Sequence, residues 1–126
     1  TLVNNVESSA NLPVFLQYGV APSKEMGTEA GGGTQLICLS GHSKNRGTWE
    51  VNLGTPLQEI LHGEAYGGGT ASGRPIKFVH FGGQSGPIGF APNLDFDYSY
   101  DGLWGAGLSM GSGAIVVMDD SVSIVE

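Results

Sequence analysis

Two hydrophobic rhythms divide this chain. From residue 35 onward, apolar side chains fall in short runs of strand type, one of them alternating with a period of two. "QLICLSG" (35–41) is one such run, and "HSKNRG" (42–47) reads as the turn that follows it. In "TWEVNLG" (48–54), Trp49, Val51 and Leu53 face one way while Glu50 and Asn52 face the other. The spacing then turns helical in "PLQEILHGEAYGG", where Leu57, Ile60 and Leu61 share a face. Thr55 is a natural N-cap for that helix, Pro56 suits its first position, and Gly67 to Gly69 would end it. "IKFVHFGG" (76–83) and "GPIGFAP" (86–92) read as two strands about a glycine turn. "AIVVMDD" (114–120), apolar for five consecutive residues, reads as a buried final strand.

Residues 4 to 18 carry a different pattern. Asn4 or Asn5 can cap a short helix with Glu7 in its first turn, and Pro13 is expected to limit it to about three turns. Residues 19 to 34, "GVAPSKEMGTEAGGGT", lack periodicity and end in three glycines, which marks a linker. The order hairpin, helix, strand pair, long loop, strand predicts an α+β fold. A helix covering one face of a small mixed sheet is the arrangement that buries its apolar stripe, a β-grasp (ubiquitin-like) fold.

Composition narrows the partners. The 126 residues suit one compact domain with an appended segment. Twelve acidic against five basic side chains give a net charge of −7, which repels nucleic acid and anionic lipid. No stretch approaches the ~18 apolar residues of a membrane span. Cys38 is the only cysteine, so no internal disulfide and no cysteine-held zinc or iron–sulfur site can form within the chain. In "TQLICLS" its thiol is expected to be buried and inert, in a reducing intracellular compartment.

The candidate chemistry is thin. "GAGLSMG" (105–111) has dinucleotide-loop spacing but leads into a strand instead of a helix, so it reads as tight-turn glycines. "FGGQSGPIGF" (81–90) lacks the Lys-Ser/Thr of a phosphate cradle. Asp95, Asp97, Ser99 and Asp101 have calcium-loop spacing, but Tyr100 and Ala106 stand where that loop needs glycine and glutamate, so an acidic surface loop is expected. His42, His62 and His80 lack paired ligand spacing. Ser40, Ser85 and His42 form no recognisable nucleophile elbow. Trp49, Tyr66, Phe78 and Phe81 read as core or half-buried face residues.

Order and spacing along the whole chain say more than any single motif. "TLVNNVESSANLP", "LICLSGHSKNRGTWEVNLGTPLQEIL", "FGGQSGPIGF", "LWGAGLSMGSGAIVVMD" and "SVSIVE" follow one another. Together they resemble the NADH- and flavin-binding flavoprotein subunit of respiratory complex I. They equally resemble its relatives in NAD(P)-dependent hydrogenases and formate dehydrogenases. The resemblance implies four parts: residues 1–18 as the last piece of a flavin mononucleotide (FMN) domain, 19–34 as linker, 35–120 as a soluble-ligand-binding β-grasp domain, and 121–126 as the start of a connection to a 4Fe–4S domain. The flavin and NADH loop, and the cluster cysteines, would then lie outside the chain, which is expected to be a fragment.

In that family an N-N-V-E-T motif lies beside the flavin. Asn4 and Asn5 match its asparagines and Glu7 its acid, while Ser8 replaces the threonine and keeps a hydroxyl. Ser123 stands where several members carry a non-ligand cysteine. The resemblance therefore implies FMN-adjacent roles for Asn4 and Asn5 in a parent that uses FMN, NAD(H) and a 4Fe–4S cluster, with no cofactor held by this chain alone and no catalytic or metal-binding residue in it. The implied partners are the flavin and 4Fe–4S domains of the parent and other subunits of a cytoplasmic complex, peripheral to a membrane without inserting into it. An autonomous β-grasp module for a small ligand of cobalamin or sugar type is the alternative.

Overall fold

The computed structural model describes residues 1–25, 32–82 and 86–123. The alternating runs form a five-stranded sheet from β1 (Thr34–Gly41), β2 (Gly47–Asn52), β4 (Ile76–Phe81), β5 (Ile88–Phe90) and β7 (Ala114–Asp119), in the order β2-β1-β7-β4-β5. β1 and β7 run parallel at the centre, and every other pairing is antiparallel. Parallel neighbours require a crossover. Here the whole middle of the chain makes it, carrying helix α3 (Leu57–His62) across one face. This is the β-grasp arrangement expected from the pattern.

Strand periodicity decides what that face buries. Ile37 and Leu39 of β1, Val51 of β2, Val79 and Phe81 of β4, and Ile115 and Val117 of β7 point at α3, whose Leu57, Ile60 and Leu61 meet them fully buried. Each such side chain contributes about 1.5–3 kcal/mol of transfer free energy. Trp49 is half-buried against the same cluster and Leu53 is buried, while Glu50 and Asn52 face out, as the alternation predicts.

The opposite face is more open, with the head of helix α1 (Val6–Tyr18) near its Leu36–Glu50 edge. Leu36, Cys38, Ile88 and Phe90 are exposed there, and Val116 and Met118 half-buried. Cys38 is therefore not the buried thiol expected from its apolar neighbours. It alternates with Ile37 and Leu39, so burying those two turns its sulfur outward, 3.4 Å from the Thr48 hydroxyl.

Several local expectations are corrected. Thr55 does not cap α3: its hydroxyl donates to the Asn52 carbonyl (2.6 Å), and Thr55–Pro56 forms a short strand, β3. Pro56, with φ −57° and ψ 132°, takes the cap position itself. α3 also ends early, at Gly63, yet the glycines beyond still serve it. Gly67 and Gly69 donate to the Ile60 and Leu61 carbonyls at 3.0 and 2.8 Å. At Gly67 a Cβ would sit 2.7 Å from the Leu61 oxygen, so the return is too close for a side chain.

The segment expected as an acidic surface loop is more structured. Asp97–Tyr98 forms β6 against β3, with Tyr98 fully buried. Ser99 caps a further helix, α4 (Tyr100–Gly105), by accepting the Gly102 N–H at 3.0 Å. The apolar positions here are single residues among polar ones, which hid both elements.

Helix α1 (Val6–Tyr18) runs 13 residues, close to the three turns expected, with Pro13 inside it. Proline removes one helical N–H, but Pro13 is exposed, so water can satisfy the freed carbonyl. The expected linker contains a short helix, α2 (Ala21–Glu25), and its "MGTEAG" stretch lies outside the described residues, as do Ser85 and the glycine turn at 83–85.

Candidate functional site

The head of α1 is built by two amides used in series. The Asn4 Oδ1 accepts the Asn5 N–H at 2.8 Å, and the Asn5 Oδ1 accepts the Glu7 N–H at 2.9 Å, capping the helix. Each acceptor oxygen thus makes one bond inside the turn. The two NH2 groups remain, without a protein partner among the described residues. A turn of this kind has its amide donors available to whatever approaches it.

Glu7 faces the other way. Its carboxylate accepts the Leu36 N–H at 3.1 Å and the Gln35 amide at 3.3 Å. The Leu36 N–H is free because β7 has not yet begun: Cys38, the next residue pointing that way, already donates to Gly113 at 3.0 Å. The Leu36 carbonyl is crowded by the same neighbour. A Cβ on Gly113, where φ is +87°, would lie 2.4 Å from it.

Between α1 and the sheet lies a cavity of about 320 Å3, lined by Asn5, Glu7, Ser8, Gln35, Tyr100 and Ser112 among others. Tyr98 is buried nearby, and its hydroxyl has no partner among the described residues. Burial pushes its phenol far above the usual range, with smaller contributions from Tyr100 and Glu7. Of the implied flavin-facing pair, Asn5 lines this cavity and Asn4 does not.

A second polar cluster was not legible beforehand. Asp119, buried at the end of β7, accepts the Ser72 hydroxyl (2.7 Å), the Ser121 N–H (2.9 Å) and the Ser121 hydroxyl. These bonds, Ser121 first and Ser72 next, hold its carboxyl well below the usual carboxylate range, with a smaller contribution from His42. His42, expected to stand alone, has its Nδ1 3.1 Å from the carboxylate. No attacking hydroxyl meets the imidazole's other nitrogen among the described contacts, so the cluster staples the strand end and supplies no nucleophile. Its partners lie 47 and 77 residues away in sequence, and only the folded sheet brings them together.

Of the other histidines, His62 is exposed at the end of α3, and His80 is half-buried with its Nε2 2.7 Å from the Gly86 carbonyl. Among the described residues no group of three or more His, Cys, Asp or Glu could hold a metal ion, and no helix is long and apolar enough to cross a membrane. Two surfaces are conspicuously apolar. Leu2, Val3, Val6 and Leu16 project from the N-terminal arm into solvent, and Trp104 is 81% exposed beside a cleft of about 610 Å3 bounded by Pro87 and Leu108.

Sheet order, the single covering helix and the capped arm define a β-grasp domain with an N-terminal helical extension. No protein-family model matches the chain. Over its whole length, however, it is 36% identical to the F 2 subunit of the NADH-quinone oxidoreductase of Rhizobium meliloti, of which it spans 30%. The F subunit of the Mycobacterium tuberculosis enzyme is 35% identical over 99% of the chain, which spans 27% of it. The NADP-reducing hydrogenase subunit HndC of Solidesulfovibrio fructosivorans is 37% identical over 99% of the chain, which spans 25% of it. Among solved structures, an NAD+-reducing NiFe-hydrogenase in the H2-reduced state matches 97% of this chain and 19% of its own with a TM-score of 0.77 at 22% identity, which establishes the shared fold. The chain is thus a homologue of one region of the F subunits of NADH-quinone oxidoreductases and of the corresponding hydrogenase subunits, about 30% or less of their length.

Proposed function

We propose that this chain is the β-grasp region, with the last piece of the flavin domain, of an NADH-oxidising flavoprotein subunit, and that it joins the flavin and 4Fe–4S domains without itself being catalytic. The observation that carries this reading is the collinear match to F-type relatives several times its length, headed by the "NNVES" turn. The NH2 groups of Asn4 and Asn5, unpartnered among the described residues, suit the phosphate or carbonyl oxygens of FMN without adding charge. When bound in such a parent, FMN supplies the step from hydride to single-electron chemistry. Glu7, Ser8 and Asn11 would shape the edge of that pocket, and the apolar arm would pack on the rest of the flavin domain. The partners are the remaining domains and other subunits of a cytoplasmic complex, peripheral to the membrane.

Two measurements test this. The purified chain should neither oxidise NADH nor bind FMN with sub-micromolar affinity in a fluorescence titration; either activity overturns the reading. Conversely, the 126 residues grafted over the matching region of the Rhizobium protein should retain flavin and NADH oxidation. In that chimera, Asn4→Ala with Asn5→Ala should lower flavin retention, whereas a flavin content indifferent to both would sink the asparagine assignment.

A further inference from the structure

We infer that Glu7 is a positioning residue: it fixes the Asn4–Asn5 turn on the β-grasp sheet by occupying, on β1, the place that β7 has not reached. Helix α1 contains no buried residue. Only Glu7, Asn11 and Phe15, one stripe at four-residue spacing, are even half-buried. Of these, Asn11 spends its amide on the Glu7 carbonyl within the helix, at 2.9 Å. The two bonds from the Glu7 carboxylate to Leu36 and Gln35 are the hydrogen bonds that tie α1 to the sheet among the described residues.

Apolar packing therefore does little to set the orientation of this helix, and a charge-assisted pair of hydrogen bonds sets it instead. The bonds have a definite address, because a strand offers an unpaired N–H on that side only where its neighbour has stopped. Leu36 is that residue, one step beyond the Cys38–Gly113 bond. Glu7 is also the residue whose own N–H is held by the Asn5 side chain. One residue thus joins the capping asparagine, through its amide, to the β1 backbone, through its carboxylate. A shift of the sheet is transmitted to the turn through three consecutive hydrogen-bonded groups, without any intervening side-chain packing.

The importance of this latch for function rests on the flavin-facing reading of the turn, but its test does not. Cys38, the only cysteine, is exposed and two residues from Leu36, so a nitroxide attached there reports on the turn without any added mutation. In the unsubstituted chain the side-chain NH2 resonances of Asn4 and Asn5 should be broadened by the label, and the Leu36 amide protected from hydrogen exchange. Glu7→Ala should relieve the broadening and speed Leu36 exchange about tenfold or more. Glu7→Gln keeps an acceptor and should retain most of both effects. An alanine variant that leaves broadening and protection unchanged overturns the proposal, as does a glutamine variant indistinguishable from alanine. Neither readout involves flavin, so a chimera that fails to retain flavin would sink the functional reading and leave the latch standing.

Discussion

The Nδ1 of His42 lies 3.1 Å from the Asp119 carboxylate and 3.2 Å from the Asp119 backbone nitrogen, so one imidazole atom faces both an acceptor and a donor of the same residue. Without a proton, Nδ1 can accept the backbone N–H; with one, in the neutral Nδ1–H tautomer or the imidazolium, it can donate to the carboxylate. No single state of Nδ1 makes both bonds. The serines settle the question for Asp119, since three donors from Ser72 and Ser121 keep it ionised whichever state the ring adopts.

Asp119 should accordingly govern the acid limb of stability. Its carboxyl is depressed in the folded chain from an ordinary value of 3.8. The resulting stabilisation is fully present above that value and is lost as pH falls below it through the folded pKa. Urea denaturation repeated from pH 5 downward should show a steep loss of stability below about pH 4. Asp119→Asn should start less stable at neutral pH, because its NH2 meets serine donors, and should show a flatter acid limb. Parallel acid limbs in the two proteins would contradict the assignment.

Tyr98→Phe offers a test of the opposite sign. Its hydroxyl is fully buried without a partner among the described residues, a condition that costs about 1–3 kcal/mol. Removing it should leave stability unchanged or raise it by up to about 1 kcal/mol. In the native protein the raised phenol should resist ionisation, and the stability tied to it is present below the unfolded value near 10 and lost as pH rises towards the folded one. Ultraviolet titration should therefore find one tyrosine that ionises only as the chain unfolds.

Gly113→Ala should be severe. Its positive φ and the 2.4 Å approach of a new Cβ to the Leu36 carbonyl cannot both be relieved without moving β7 away from β1. A loss of about 3 kcal/mol is expected in equilibrium unfolding, with Leu36 among the amides whose chemical shifts change most.

Cys38 should react stoichiometrically with a thiol reagent under native conditions, at a rate insensitive to mild denaturant. Slow reaction that tracks global unfolding would restore the buried thiol expected from its sequence neighbours.

That contrast shows how far the residue pattern carries. Short apolar runs located every long strand, and period-two alternation gave the inward set Trp49, Val51 and Leu53, because a strand's faces are fixed by its pleat. It misassigned Cys38, since "LICL" is apolar on both faces and alternation cannot say which one a helix will cover. It missed β6 and α4 because Tyr98 and Leu103 are isolated buried positions in a polar, glycine-rich stretch. Thr55 had the right chemistry for a cap and was claimed by β3 instead. In the candidate site, the Asn5 cap was readable from local spacing. The Glu7–Leu36 and Asp119–Ser72 bonds span 29 and 47 residues and belong to the fold.

The arm without a buried residue has one further consequence. A segment that contributes nothing to the core is not bound to unfold with it. Residues 1–18, held to the sheet by the Glu7 bonds and one half-buried stripe, should then open at a lower free energy than the sheet itself, carrying the asparagines with them.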